Sequence, residues 1–97
     1  MAKVFIINHN FRKDYSSIPD SLGKKIFITE GISRDTADEL YNIFNSAFEN
    51  STTDDYLVLC GPPLAIAIAY HAWREVHNSC QLFSWDNGKR GYTLIQV

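Results

Sequence analysis

The sequence lacks a basic excess, a long apolar run and a large set of cysteines, and each absence excludes a class of protein. Nine Lys and Arg stand against 11 Asp and Glu, a formal net charge of −2, which argues against a protein that binds nucleic acid regardless of sequence. No apolar run reaches the length of a membrane span. The first residues read as a strand rather than a secretory signal, and two cysteines in 97 residues are typical of a reducing compartment. We therefore expect a cytoplasmic protein.

Several chemical motifs are also missing. The chain contains neither a G-x-G-x-x-G fingerprint nor a P-loop. His9, His71 and His77 are scattered and lack a carboxylate pair at ligand spacing, so we predict no metal and no cofactor. The run "CGPP" resembles the thioredoxin motif Cys-Gly-Pro-Cys, but Pro63 stands in place of the second cysteine. Cys80 is expected about 15 Å from Cys60 if their strands run parallel, too far for a disulfide.

Five apolar runs predict five strands. The first three are continuous and rich in β-branched or aliphatic residues, a pattern typical of strands buried on both faces of a parallel sheet. The last two flank "DNGKRG", whose Asn-Gly pair favours a hairpin. The predicted strands cover residues 3–8, 24–29, 56–60, 80–85 and 92–97.

Two segments predict helices. The first carries an apolar stripe at helical spacing, with Ser33 or Asp35 as the expected cap; the stripe consists of Ala37, Leu40, Tyr41, Phe44, Ala47 and Phe48. The second helix is predicted over residues 63–77 and begins with a proline in its first turn. Its residues from Leu64 to Tyr70 are apolar on nearly every side, so we expect them to be shielded from water.

The resulting order, β-β-α-β-α-β-β, predicts one Rossmann-like α/β domain over residues 1–97, mostly parallel with an antiparallel edge hairpin. Two helices can cover the two faces of a five-stranded sheet only incompletely. A homodimer packed through the second helix or a sheet edge is the economical way to cover the remaining apolar surface.

Polar residues at the predicted strand ends indicate a binding site. Ligands of open α/β sheets lie beyond the carboxyl ends of the strands, where a glycine allows close approach and a helix start offers N–H groups to an anion. The long segment after the first strand supports this interpretation. The predicted ligand-binding residues are Asn8, His9, Asn10, Tyr15, Ser16, Thr29, Gly61 and Pro62, and no catalytic residue is assigned.

Structural explanations remain open for the same residues. Gly61 can serve only to allow a sharp turn, and the two prolines after it remove donors that a phosphate would need. The Asn side chains around His9 can cap their own loop. Trp85 and Tyr92 are interpreted as core or dimer contacts rather than as site residues.

Residues 54–86, "DYLVLCGPPLAIAIAYHAWREVHNSCQLFSWD" with the preceding Asp54, resemble the strand, Gly-Pro turn, helix and strand of CARF and SAVED-type sensor domains. Those Rossmann-like domains bind cyclic oligonucleotides in bacterial and phage-related defence systems. The resemblance implies a stand-alone binder of a nucleotide signal, with Gly61 and Pro62 at the strand end and Asn8 and His9 as rim residues.

Three functions follow as hypotheses. The first is a small ligand-binding module for an anionic, nucleotide-like signal, which it would hold or sequester. The second is a protein–protein interaction or inhibitor module without a small ligand, such as a phage or mobile-element accessory protein. The third is an enzyme that cleaves a phosphodiester through His9.

Overall fold

The computed structural model describes residues 2–10, 12–30 and 35–97. These residues form a five-stranded sheet and two helices in the predicted order. The strands are β1 (Lys3–His9), β2 (Lys24–Glu30), β3 (Tyr56–Val58), β4 (Gln81–Asp86) and β5 (Gly91–Gln96), and the helices are α1 (Ala37–Ala47) and α2 (Pro63–Val76).

The sheet has the strand order β2-β1-β3-β4-β5. The first four strands are parallel, and β5 pairs antiparallel with β4 as the last strand. The predicted α/β architecture with an antiparallel edge hairpin is therefore confirmed. The hairpin is closed by the four residues 87–90, with Arg90 in the left-handed region at φ 51°.

Both helices lie on the same face of the sheet. The connection from β2 to β3, which holds α1, and the one from β3 to β4, which holds α2, run along the sheet in the same direction, whereas the one from β1 to β2 runs in the opposite direction. Right-handed crossovers that run in the same direction lie on the same face of a sheet, and those that run in opposite directions lie on opposite faces. The helices accordingly pack in one cluster with Phe5, Ile7 and Leu57. The segment between β1 and β2 packs on the other face.

α1 and its C-cap bury three of the six residues of the predicted apolar stripe against this first face, whereas Ala37 is exposed. Leu40, Phe44 and Phe48 are buried, as the helical spacing requires. The predicted cap is wrong, because Thr36 is the N-cap and forms a capping box with Glu39, in which each residue satisfies an amide of the other. Ser33, the other predicted cap, lies outside the described residues.

A segment without strands covers the second face. Ile18 is only 1% exposed and packs in a cluster with Ile6, Val58 and Tyr92. Ser17 fixes the segment to the hairpin, because its Oγ accepts a hydrogen bond from the Tyr92 amide at 2.9 Å. Most described residues of the segment are exposed or half-buried, so it is a loop as predicted, and Ile18 anchors it to the core.

The opposite end of the sheet is held by a buried carboxylate. Asp55 is 1% exposed. Its Oδ1 accepts the Lys3 amide at 2.8 Å and its Oδ2 accepts the Thr52 amide at 2.9 Å. Both oxygens thus pair with backbone donors, as burial of a charged group requires, and they fix the start of β1 beside the turn before β3.

α2 is helical as predicted, but one chain does not shield it on every side. Ala65, Ala69 and Trp73 face the sheet and are buried, whereas Leu64 is 55% exposed and Ala67 is also exposed. The expected shielding is therefore wrong for a single copy, because α2 has the sheet on only one side. Within the described residues, neither helix is long and apolar enough to cross a membrane.

Candidate functional site

A cavity lies where the chain leaves neighbouring strands in opposite directions. From the end of β1 the chain turns towards β2, and from the end of β3 it turns towards β4. The gap between two such strands is the usual ligand position in open α/β sheets. Here it opens into a cavity of about 560 Å³, within the range of small-molecule sites.

Gly61 forms the floor of this cavity together with Asn8. Gly61 has a φ of +123°, which L residues other than glycine rarely adopt. A Cβ added there would lie 2.5 Å from the Cβ of Asn8. The turn between β3 and α2 therefore needs glycine for both its conformation and its packing. The structural explanation of Gly61 holds, and the same contact shapes the cavity.

Asn10, at the rim of the cavity, forms hydrogen bonds with Arg12, Lys13 and Tyr15. The Asn10 side chain accepts the Arg12 amide at 2.9 Å, and the Asn10 carbonyl accepts the Lys13 amide at 3.0 Å. The Asn10 amide donates to Tyr15 Oη at 2.9 Å. Asn10 thus caps its own loop, and by doing so it places Arg12 and Lys13 along the cavity.

Aromatic rings form the wall on the hairpin side. Trp85 and Tyr92 both line the cavity and meet edge to face, with ring centroids 5.2 Å apart. Tyr15 stacks behind Tyr92, with centroids 5.8 Å apart and planes 13° from parallel. Burial raises the pKa of Tyr15 to about 12 and also raises the pKa of Tyr92.

Cys60 lies at the base of this wall. It is buried, lines the cavity, and its Sγ is 3.4 Å from Tyr15 Oη. Cys60 and Cys80 are both free thiols, at opposite ends of neighbouring strands. Burial raises the pKa of the Cys80 thiol to about 11. Cys80 therefore remains protonated at neutral pH.

The start of α2 lies at the cavity's edge. Pro62 is the N-cap, and its side chain makes no capping hydrogen bond. Pro63 lacks an N–H, so the amides of Leu64 and Ala65 are the donors of the first turn that have no partner within the helix. These two amides and the helix dipole favour a negative charge at this edge.

His9 lies between aromatic and acidic neighbours. Its ring centroid is 4.2 Å from that of Phe27 and 5.9 Å from that of Tyr15. Its Nδ1 is 3.8 Å from Glu30 Oε2. The imidazole is therefore held against β2 as well as lining the cavity.

Five of the eight predicted site residues line the cavity, namely Asn8, His9, Asn10, Gly61 and Pro62. Tyr15 lies behind the wall. Ser16 donates its amide to Asp14 Oδ1 at 2.9 Å, a hydrogen bond that lowers the pKa of Asp14, and is not among the lining residues. Thr29 donates its hydroxyl to the Ile7 carbonyl at 2.8 Å and ties β2 to β1.

The structure adds seven lining residues that the sequence analysis did not assign to the site, namely Arg12, Lys13, Leu59, Cys60, Ile66, Trp85 and Tyr92. Arg12 and Lys13 were detectable as the cations nearest the predicted rim. Trp85 and Tyr92 were detectable as the aromatic pair that flanks the hairpin turn. In the described part of the chain, no three His, Cys, Asp or Glu side chains are grouped so that they could hold a metal ion.

No family model, curated protein or solved structure matches this chain. The resemblance of residues 54–86 to CARF and SAVED-type domains therefore stays a prediction, and the function must be argued from the cavity itself.

Proposed function

We propose that this protein is a small ligand-binding module that holds an anionic, nucleotide-like molecule in the cavity between β1 and β3. The observation that carries the proposal is the combination of groups around one cavity of about 560 Å³. Arg12 and Lys13 supply positive charge and Trp85 supplies an aromatic surface. The dipole of α2, whose N-cap Pro62 lines the cavity, favours a negative charge. A nucleotide has the complementary parts, a phosphate and a flat base.

The proposal extends to sequestration as the use of this binding. Gly61 packs closely against Asn8, and Asn10 forms hydrogen bonds with Arg12 and Tyr15, so the backbone around the cavity is in place without a ligand. A backbone that is already in place lowers the ordering cost of binding, which suits a protein that captures a signal at low concentration.

Thermal unfolding against nucleoside monophosphates and cyclic oligonucleotides tests the proposal. A ligand at ten times its Kd stabilises the folded state by about 1.4 kcal/mol, which raises the Tm of a domain this size by roughly 5–10 °C. Arg12→Ala should reduce the shift, because Arg12 is exposed and lines the cavity. Lys24→Ala is the matched control, since Lys24 is an exposed cation at the opposite end of β2. The absence of a shift with every nucleotide would reject the proposal.

The alternative of a protein-binding module is favoured by the edge of the sheet. β5 is the last strand, and Leu94, Ile95 and Val97 at this edge are exposed. An open edge with apolar side chains can accept a strand from another protein. This alternative replaces the first if no nucleotide changes the Tm.

We also propose that the protein forms a homodimer in the cytoplasm. Leu64 and Ala67 lie one helical turn apart on the exposed side of α2, which a second copy would cover. The two free cysteines support a reducing compartment. Light scattering at micromolar concentration should give twice the chain mass, and Leu64→Lys should give a monomer. A monomeric wild-type protein would reject the dimer.

A further inference from the structure

We infer that Trp85 is the stacking surface for the base of the ligand, and that Lys13 occupies this surface until the ligand arrives and then pairs with its phosphate. The inference rests on the proposed function and goes further, because it fixes the orientation of the ligand. The base lies at the hairpin end of the cavity, and the phosphate lies towards β1 and the start of α2.

The Trp85 ring is held in a fixed position. Its Nε1 donates to Asn87 Oδ1 at 2.8 Å, and Tyr92 packs against it edge to face. Tyr92 is itself supported by the parallel ring of Tyr15. A ring held from several sides can receive a base without losing its own rotational freedom, which favours stacking.

Lys13 covers the place where a base would stack. Its Nζ lies over the Trp85 ring, 4.5 Å from the ring centroid, a cation–π contact. The Lys13 backbone is anchored because its amide donates to the Asn10 carbonyl at 3.0 Å. Only the flexible side chain has to move for a base to enter, and the ammonium group stays within the cavity.

Since Lys13 must leave the Trp85 ring when a base enters, we expect the ligand to contain both an aromatic ring and an anionic group. A base alone must displace the Lys13 ammonium from Trp85 and gives it no new partner. A phosphate alone pairs with Lys13 and Arg12 but does not use the aromatic wall. A nucleotide replaces one favourable contact of Lys13 with another and adds the stacking contact.

Adenosine monophosphate, a cyclic dinucleotide, adenosine and inorganic phosphate are suitable probes, measured by calorimetry and tryptophan fluorescence. We expect the nucleotides to quench Trp85 emission and to bind more tightly than adenosine or phosphate. Trp85→Leu should weaken nucleotide binding about tenfold to a hundredfold and remove the quenching. Trp73 is fully buried in the core, so its emission reports whether this variant is folded.

Lys13→Gln should affect nucleotide binding and adenosine binding differently, which a purely structural role of Lys13 would not explain. It should weaken nucleotide binding several-fold and leave adenosine binding equal or tighter, because the stacking surface is then uncovered. Lys89→Gln, an exposed lysine in the hairpin turn, should change neither. Lys13→Gln is expected to fold even if Trp85→Leu does not.

The outcomes separate this inference from the proposed function. Nucleotide binding that is unchanged in Trp85→Leu, or an equal loss of adenosine and nucleotide binding in Lys13→Gln, would overturn the inference and leave the proposed function standing. If no nucleotide binds or changes the Tm of the wild-type protein, both fail.

Discussion

Gly61→Ala gives the most direct test of how the cavity floor is built. The added methyl group would lie 2.5 Å from the Cβ of Asn8, in a residue whose φ is +123°. The unfavourable backbone conformation costs about 1–3 kcal/mol, and forcing a methyl group into a packed site costs about 1–3 kcal/mol more. The free energy of unfolding should therefore fall by about 2–6 kcal/mol, which corresponds to a loss of at least roughly 10 °C in Tm.

Urea unfolding of Gly61→Ala and Gly88→Ala provides the comparison. Gly88 lies in the exposed hairpin turn and does not have a positive φ. The nearest atom to an added Cβ is Asp86 Oδ1 at 3.2 Å, which accepts the Gly88 amide at 2.9 Å. Gly88→Ala should change the free energy of unfolding by less than about 1 kcal/mol. Equal unfolding midpoints for the two variants would show that the contact between Gly61 and Asn8 does not constrain the turn.

Three further predictions concern the rest of the chain. Ile18→Ala should lower the free energy of unfolding by about 2–4 kcal/mol in urea titrations, because Ile18 is buried against the second face; a loss below about 1 kcal/mol would mean that the segment does not belong to the core. Asp55→Ala should cost about 2–5 kcal/mol by the same assay, because the buried amides of Lys3 and Thr52 lose their acceptor; a neutral effect would contradict this assignment. Burial raises the pKa of Cys80 from 9.0 to about 11, so the folded state holds this proton more tightly than the unfolded chain does. The stability that Cys80 contributes is therefore full below pH 9 and is lost as the pH rises to about 11. The free energy of unfolding of Cys80→Ala should fall less over this pH range than that of the wild-type protein. Parallel pH profiles for the two proteins would refute this role of Cys80.

The sheet was predictable because its strands are nearly continuous apolar runs. Residues 3–8 were predicted and Lys3–His9 is observed, while 56–60 shortens to Tyr56–Val58. Leu59 still donates its amide to the Phe83 carbonyl at 2.9 Å. The chain therefore continues beside β4 after Val58, although the regular strand pairing ends there. Period and composition determine such elements locally.

The cap of α1 was predictable but was placed on the wrong residue. Ser33, Asp35 and Thr36 are all good capping residues by type. Only Thr36 has a Glu three positions later, at Glu39, and this spacing is the signature of the capping box. The second half of the motif, rather than the type of the capping residue, identifies the start of the helix.

The strand order explains which predicted site residues line the cavity. All strand ends at one edge looked equivalent in the sequence. With β1 between β2 and β3, the cavity forms between β1 and β3, so the ends of those strands contribute Asn8, Asn10 and Gly61. Thr29 at the end of β2 lies one strand away, and the order of strands has no local signature in the sequence.

The aromatic wall depends on contacts between distant parts of the chain. The sequence favours Trp85 and Tyr92 as core or dimer contacts, and Tyr92 is indeed buried in the second cluster with Trp85 packed against it. Both also line the cavity, next to the segment after β1 that contacts the hairpin through the hydrogen bond between Ser17 and Tyr92. That docking joins residues 75 positions apart, which no periodicity in the sequence encodes.

The contact between Gly61 and Asn8 also limits how this protein can evolve. Because the Gly61 main chain packs directly against the Asn8 Cβ, no larger residue fits at position 61. Arg12 and Lys13 lie instead on the loop after β1, where substitutions cost little stability. Descendants that acquire new chemical preferences are thus expected to keep this glycine and to diverge at positions such as Arg12 and Lys13.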